Sequence, residues 1–475
     1  MKKIRLLLLL VIVYHTVKAQ SYHALHGNVY GSGLTVYNNP ASIVHQPFPW
    51  DLTIFSTQQK AFNNVATVKD YGLLGTAKNS YVEFNRGYYG RRAHYQSDIR
   101  LFNLRFNIGR DRAVAVGANL RHYLHVRSSP YFYTDTLQTT NQFFNLNQLA
   151  SVPIGASAVQ SSWGELFFSY AQTLYENELM RLSGGVTLKA QRGLSGGYVR
   201  LSNGYFEIRN DGLQPYFVVT DGRGRYGYSS NYDRISSEKS TWQNIKDVMG
   251  HTLNSASADL GAELLLRYDG YVRQEDAPPY NWKIGFSILD IGRNQYRHGR
   301  ESRRFSGFKT EVVDSILQYK FQNVAGVPEF NDSLETIAAG YRGINGNFIV
   351  NQPTRLVVNI DKHVTQDFYV NANISANLRS STHDEKYAVR EMDMIAVTPR
   401  WEKRKLAAYL PMQYTTEGKF WVGLAGKLGP VVMGLHNAGW IFTKNAMPNG
   451  GFYLALTVRG WKFRERDTGV ACPDF

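Results

Sequence analysis

Apolar and polar residues alternate along most of the chain, over runs of unusual length. In LFNLRFNIG, Phe102, Leu104, Phe106 and Ile108 share one parity, and Asn103, Arg105 and Asn107 share the other. After a turn at Gly109 to Arg112 the apolar parity resumes at Val114, Val116, Ala118, Leu120, Leu124 and Val126. It is opposed by Asn119, Arg121, Tyr123 and His125. Side chains alternate across a strand, so each run presents one apolar and one polar face. The pattern returns at 182–191 (Lys189 polar), 282–288, 368–379 (Asn371, Asn373 and Arg379 polar) and 420–458. Soluble sheets alternate as well, but their strands average about 5–6 residues. Roughly 9–11 tilted residues cross a bilayer's hydrocarbon. The pattern predicts an all-β fold, a single transmembrane antiparallel β-barrel of about 14 strands (range 12–16).

The connections alternate too. Short turns follow residues 108, 175, 363 and 401, and long polar segments lie near 58–97, 127–162, 221–257, 292–353 and 381–390. Bacterial barrels have short periplasmic turns and long outer loops. The first strand is expected near Trp50 to Thr57, running up from the periplasm. Two weaker strands, near 213–220 and 430–437, would bring the count to sixteen. TWQNIKDVMGHTL spaces Trp242, Ile245, Val248, Met249 and Leu253 as a loop helix would, and SGFKTEVVDSILQYK is a second candidate.

The opening MKKIRLLLLLVIVYHTVKAQ is a basic, then apolar, then small-residue series, expected to be a cleaved signal peptide over 1–19. Residues 20–48 are expected to form an N-terminal segment able to plug the lumen, 49–463 the barrel with long outer loops, and 464–475 a tail. Within the segment stands YNNPASI. Pro40 has no donor for a sheet and holds Asn39 extended, and the small Ala41 and Ser42 allow close approach. Asn38, Asn39, Pro40, Ala41 and Ser42 are therefore the plug or gating candidates. Asn103, Arg105, Asn107, Asn119, Arg121, Lys189, Asn371, Asn373 and Arg379 are the lumen-facing candidates. Arg293, Arg297, Arg300, Arg303 and Arg304 crowd one outer loop, where guanidinium forks suit phosphates or carboxylates.

Charge and chemistry change this little. The formal charge of +15 falls to +11 when Lys2, Lys3, Arg5 and Lys18 leave with the signal. Export argues against a nucleic-acid partner. Cys472 stands alone, which excludes a disulfide framework. GLSGG (193–197) matches the nucleophile-elbow spacing, but a strand is expected after it, so a hairpin turn is the expectation. GRGRYG (222–227) lacks the helix that would hold a pyrophosphate and reads as a basic loop. His122 and His125 fall on opposite strand faces and cannot share a metal, and His23, His26 and His45 converge only if the N-terminal segment folds back. No catalytic residue, metal or cofactor is predicted.

Seven phrases in order, NPASI, ADLGAELLLRY, IGFSILDIG, FYVNANISANL, TPRWE, LGPVVMG and FYLALTV, resemble a Bacteroidota family of outer-membrane β-barrel proteins catalogued as a domain of unknown function. The resemblance implies fold and location and brings no activity. More distantly, Asn39, Pro40 and Ala41 resemble the Asn-Pro-Ala of long-chain fatty-acid transporters and of barrels linked to type IX secretion, where the segment forms a hatch. The resulting expectation is a non-enzymatic outer-membrane barrel that transports or binds an apolar or amphiphilic small ligand. The alternatives are a structural or secretion-associated barrel anchoring protein partners, and a lipid hydrolase embedded in the wall. The expected partners are outer-membrane lipid, that ligand, and a periplasmic or secretion-system protein.

Overall fold

The computed structural model describes residues 25–44, 46–70, 81–135, 139–149, 152–210, 212, 215–268, 280–309, 312–378, 387–441 and 449–460. The signal segment, His23, His45, Arg379, Cys472 and the tail from 464 lie outside the described residues.

Among the described residues, fourteen strands make the wall. They are β1 Trp50–Asn63, β2 Gly87–Ile108, β3 Arg112–Tyr133, β4 Ile154–Glu176, β5 Met180–Asn210, β6 Asn254–Leu266 and β7 Trp282–Arg297. Then come β8 Arg355–Thr365, β9 Phe368–Asn377, β10 Met394–Glu402 and β11 Leu406–Tyr409, which resumes at Met412–Thr415. The last are β12 Lys419–Val422 resuming at Leu424–Leu428, β13 Val431–Leu435 and β14 Gly450–Arg459. Each wall strand pairs antiparallel with the next, and β1 closes the ring by pairing both β2 and β14. A closed ring leaves no unpaired edge, as a membrane wall requires.

The alternation explains why the ring forms. On β2, Asn103 and Arg105 are fully buried, whereas Phe102, Phe106 and Ile108 are 39–47 % exposed. Leu166 and Phe168 on β4, Leu188 on β5, Phe286 on β7 and Ile374 on β9 are likewise exposed. Polar residues inside and apolar ones outside is the inverse of a water-soluble sheet, and it suits a wall standing in hydrocarbon.

Several elements differ from the sequence expectation. β2 to β5 run 22, 22, 23 and 31 residues, well past the expected loop boundaries. Residues 431–435 are a wall strand, but the weak strand near 213–220 belongs to a ribbon, Pro215–Tyr228, that pairs the far end of β5 outside the ring. The ring among the described residues therefore has fourteen strands and not sixteen. GLSGG is no hairpin turn. It lies within the continuous β5, where Gly193 and Gly196 leave room for the Tyr296 ring: a Cβ at either would stand 2.8 or 2.5 Å from it. GRGRYG is no loop but the end of the ribbon, with Phe308 laid across Gly222 and Phe305 across Gly224. Arg293 and Arg297, expected on a loop, lie on β7, whose pairing with Asn347–Asn351 extends it outward.

Helices α1 Thr140–Asn147, α2 Thr241–Gly250, α3 Asp314–Phe321 and α4 Val327–Ile337 lie at the end of the barrel opposite Trp50 and Arg459. α2 matches the first expected loop helix and starts on a Ser240/Gln243 capping box. α3 occupies only the second half of the other candidate.

Candidate functional site

The polar inner faces would leave buried charges uncompensated if nothing met them. Residues 25–44 do so. In the short 3₁₀ turn Pro40–Ile43, Asn39 caps the start: its Oδ1 accepts the Ala41 N–H at 2.9 Å, and Ser42 Oγ donates to its carbonyl at 2.7 Å. Pro40 sits at the first helical position, where no donor is needed. The Asn39 amide then reaches out and donates to the Ala262 carbonyl on β6 at 2.8 Å. Ser287 Oγ on β7 donates to the Asn38 carbonyl at 2.7 Å.

Three glycines receive this turn. Gly185 on β5 stands opposite Gly261 on β6, and Gly285 on β7 lies one strand further, opposite Glu263. A Cβ on Gly185 would stand 2.5 Å from the Ala41 nitrogen and the Pro40 carbonyl carbon. One on Gly261 would stand 2.9 Å from Pro40 Cδ, and one on Gly285 3.0 Å from Asn39 Nδ2. No side chain fits between the turn and the wall.

The rest of the segment is tied to the strands at the end of the barrel that holds Trp50 and Arg459. Gly33 N–H donates to Asp51 at 2.7 Å, and Asn103 donates to the Gly33 carbonyl at 2.8 Å. Arg105 donates to the carbonyls of Ile43 and Phe48 at 3.1 and 2.9 Å, to Asn107 at 2.7 Å, and pairs with Asp51 at 3.3 Å. Asn28 donates to the Tyr409 hydroxyl at 2.7 Å. Arg400, held by Asp361 at 2.5 Å, donates to the Gly27 carbonyl at 2.9 Å. Asn371 also donates to Asp361, at 3.0 Å, and Asn373 donates to Asn371 at 3.4 Å. Val36, Ile43 and Val44 pack on Ala113, Ala115, Phe167 and Ala171 of the wall.

Above the segment the lumen is crossed by charges. Arg121 lies 3.0 Å from Asp98, 2.5 Å from Asp290 and 3.7 Å from Glu165. Lys189 lies 2.8 Å from Asp259 and 2.7 Å from Asp290. Glu391 pairs with Lys60 at 3.3 Å and with Arg355. Arg100 stacks over the Tyr37 ring at 3.8 Å, and Tyr37 donates to Asn119, which itself donates to Glu165 at 2.8 Å. Among the described residues this layer holds five cations and five carboxylates. Desolvated ions persist only when paired in this way. Asp290 joins the layer because β7 bulges there, with φ +58° at Asp290. A small cavity of about 20 Å³ lies between segment and layer, lined by Tyr37, Asn38, Glu165, Lys189 and Asp290 among others.

The candidates Asn103, Arg105, Asn119, Arg121, Lys189, Asn371 and Asn373 are buried here, and sequence reasoning did not name the partners Asp98, Glu165, Asp259, Asp290 and Glu391. The signal was present in ADLGAELLL, where Asp259, Gly261 and Glu263 share the polar parity. The outer arginines do not converge. Arg300 lies 3.9 Å from Asp233 and 3.7 Å from Glu301, Arg303 lies 3.0 Å from Glu301, and Arg293, Arg297 and Arg304 are exposed. On the outer wall, His122 Nδ1 lies 2.5 Å from Ser162 Oγ, with the Gln160 amide 2.9 Å from the same oxygen.

A family of unknown function (DUF5723) matches residues 40–435. No curated protein matches the chain. Among solved structures, the chain is similar to the Ralstonia pickettii toluene transporter TbuX at 10 % identity and a TM-score of 0.40, covering 94 % of this chain and 100 % of that one. A Pseudomonas aeruginosa FadL homologue gives 10 % identity and 0.41, covering 93 % and 97 %. The P. putida toluene transporter TodX gives 10 % and 0.39, covering 90 % and 93 %. At such scores no cargo or activity passes from those proteins to this one.

Proposed function

The chain belongs to DUF5723, a family of unknown function, and we propose that it works as an outer-membrane transport barrel held shut at rest by its own residues 25–44. The seating of Asn39, Pro40 and Ala41 on Gly185, Gly261 and Gly285 carries this reading. A plug must fill the lumen yet be able to leave it. Here the fit to the wall is close, but the ties are hydrogen bonds and small-residue packing, with no covalent link. The apolar outer belt supports the membrane location.

The cargo we assign is an amphiphilic small molecule. A wholly apolar solute would have to pass five buried cations and five carboxylates without compensating either. An amphiphile can meet that layer with its polar end. The packed aromatic cluster of Tyr123, Trp163, Tyr198, Tyr296, Phe348 and Tyr387 adjoins that layer and must part for the apolar end to pass.

Deleting residues 20–45 tests the gate. Single-channel conductance in planar bilayers is expected to rise from near zero to a stable open level. The charged layer favours a second reading, a closed barrel that anchors protein partners. Unchanged conductance in the deletion, together with stable partners recovered by cross-linking, would select it.

A further inference from the structure

The outward side chains of the wall change character at one height. On β5, Leu182, Val186, Leu188 and Ala190 are followed at the same parity by Arg192. On β7, Trp282, Ile284 and Phe286 give way, past the bulge at Asp290, to Ile291 and then Arg293. Both arginines are exposed, and they lie twelve and eleven residues past the first residue of their strands. Roughly 9–11 tilted residues cross the hydrocarbon, so Arg192 and Arg293 mark its outer boundary.

Residues 229–253 leave and rejoin the wall just there. The Ser229 N–H donates to the Gly196 carbonyl at 2.8 Å, and the Gly193 N–H donates to the Leu253 carbonyl at 3.1 Å. The Tyr232 hydroxyl lies 2.5 Å from Ser195 Oγ. Ser195 stands opposite Ser162 of the outer wall, so the excursion lies along the lipid-facing side. It carries α2, which ends three residues before Leu253. At about 3.6 Å per residue, the end of the helix stands within roughly 11 Å of Leu253.

The two faces of α2 differ. Asn244 Oδ1 accepts the Ser236 N–H at 3.0 Å, the Asn244 amide donates to the Ser236 carbonyl at 2.9 Å, and Asp247 pairs with Lys239 at 2.6 Å. Helical spacing puts Trp242, Ile245 and Met249 on the other face, where they are 73 %, 47 % and 41 % exposed. Tyr232 and Ile235 on the same excursion, and Val199 on β5, are exposed as well. Apolar surface gathered in this way marks a contact surface. Arg234 and Lys246 on the excursion are exposed, as are Arg192 and Arg293 at the boundary. Among the described residues none of these four cations has a carboxylate within ion-pair distance. The chain on both sides of α2, residues 215–268, is described throughout.

We infer that α2 is an interfacial helix lying in the outer leaflet, with Trp242, Ile245 and Met249 among the acyl chains and Arg192, Arg234, Lys246 and Arg293 on the phosphates of anionic lipid headgroups. The inference rests on the barrel's place in the outer membrane. Continuity selects lipid over a protein partner: the apolar face of α2 begins where the apolar belt of the wall ends, and its polar face is already engaged by its own turn. Helices of this kind sink about 5–10 Å into the boundary between headgroups and chains, and gain from apolar burial and anionic lipid together. Guanidinium forks suit phosphate oxygens. Held there, α2 keeps residues 229–253 beside the wall and away from the barrel mouth.

The test places a nitrobenzoxadiazole label on single cysteines in the full-length protein carrying Cys472→Ser. The vesicles are phosphatidylcholine with one-fifth phosphatidylglycerol, and nitroxide-bearing phosphatidylcholine quenches either near the headgroup or near the chain end. Labels stand at Ile245→Cys on the apolar face, at Glu238→Cys on the turn before the helix, and at Leu260→Cys midway up the wall. The shallow nitroxide should quench the Ile245 label at least about twofold more than the Glu238 label, and the deep nitroxide should quench the Leu260 label. Omitting phosphatidylglycerol should weaken the shallow quenching, and Arg192→Gln/Arg293→Gln should remove that dependence on lipid. Should Ile245→Cys fail to fold, judged by heat-modifiable gel mobility, Met249→Cys is read in its place with the same expectation. An Ile245 label quenched no more than Glu238, with Leu260 still quenched, overturns the inference and leaves the barrel reading standing. That is also the outcome for a helix that seats a protein instead. An unquenched Leu260 label overturns the membrane reading beneath it. A lipid dependence that persists in the arginine variant overturns the headgroup assignment.

Discussion

The α-hydrogen of Gly185 faces the backbone of Ala41 so closely that a methyl group there would stand 2.5 Å from the Ala41 nitrogen. The two residues are 144 positions apart in the sequence. Their meeting defines how the N-terminal segment lies on the wall. Three strands supply the surface, and the Asn-Pro-Ala turn lies close against it with hydrogen bonds of its own.

Gly185→Val should therefore unseat the turn without breaking the barrel. Overpacking of this kind costs about 1–3 kcal/mol, and the segment is expected to give way, since the strand is held on both sides. Planar-bilayer recordings are expected to show frequent openings in Gly185→Val and none in Gly184→Ala, whose added methyl points outward toward the Leu174 side chain. Heat-modifiable mobility should be native-like in both. Silent recordings from Gly185→Val would remove the role given to the glycine platform.

Arg105 and Asp51 are a fully buried ion pair at the root of the segment. Arg105→Met leaves the Asp51 charge and the carbonyls of Ile43 and Phe48 without their donor, and should destabilise the protein by about 3–5 kcal/mol. Asp51→Asn keeps an acceptor for the Gly33 N–H and should cost less. In the double variant no buried charge is stranded, so much of the loss should return. Denaturant unfolding in lipid vesicles measures the cycle, and strictly additive single effects would show the two are not coupled.

The strand pattern was legible because period-two alternation is a local property, and Asn103, Arg105, Asn119, Arg121 and Lys189, buried here, share its polar parity. What was not legible depends on register. Gly185, Gly261 and Gly285 become one surface only when β5, β6 and β7 are aligned. GLSGG and GRGRYG misled for a related reason. Glycine clusters signal turns when read alone, but here each glycine makes space for a ring from another strand, Tyr296 over Gly196 and Phe305 over Gly224. The Asn-Pro-Ala stretch was noticed by its composition, yet its receiving surface was invisible.

Ser162 and His122 give the wall-hydrolase alternative a geometric candidate. A serine nucleophile needs its base oriented by a third group and a pair of donors for the oxyanion. Among the described residues no carboxylate lies within ion-pair distance of His122, and the neighbouring strand amides are engaged in the sheet ladder with β3 and β5. Gln160 donates to the serine oxygen, which lowers its nucleophilicity. A fluorophosphonate probe is expected to leave the protein unlabelled, and Ser162→Ala should not change fatty-acid release from phospholipid vesicles. Labelling that disappears in Ser162→Ala would establish the hydrolase instead.

Glu417, in the turn joining β11 to β12 at the mouth, sets a pH limit on that rim. It lies 2.5 Å from Arg92 and 3.4 Å from His94 Nε2, and so ties the turn to β2. Burial alone would push its carboxyl up, but the hydrogen bonds from His94 and Arg92 outweigh burial and hold it at about 2, below the ordinary 4.5. A carboxyl depressed in the folded state binds its proton more readily when unfolded. Its contribution is thus fully present above about pH 4.5 and is lost as pH falls toward 2. Glu417→Gln removes both the tie and its pH dependence. Thermal unfolding in detergent should show the variant below the native protein at pH 7, with the gap closing between pH 4.5 and 2, since other carboxylates titrate equally in both. A gap that stays constant through pH 2 would mean that Glu417 shapes the turn by packing and carries no charge-dependent tie.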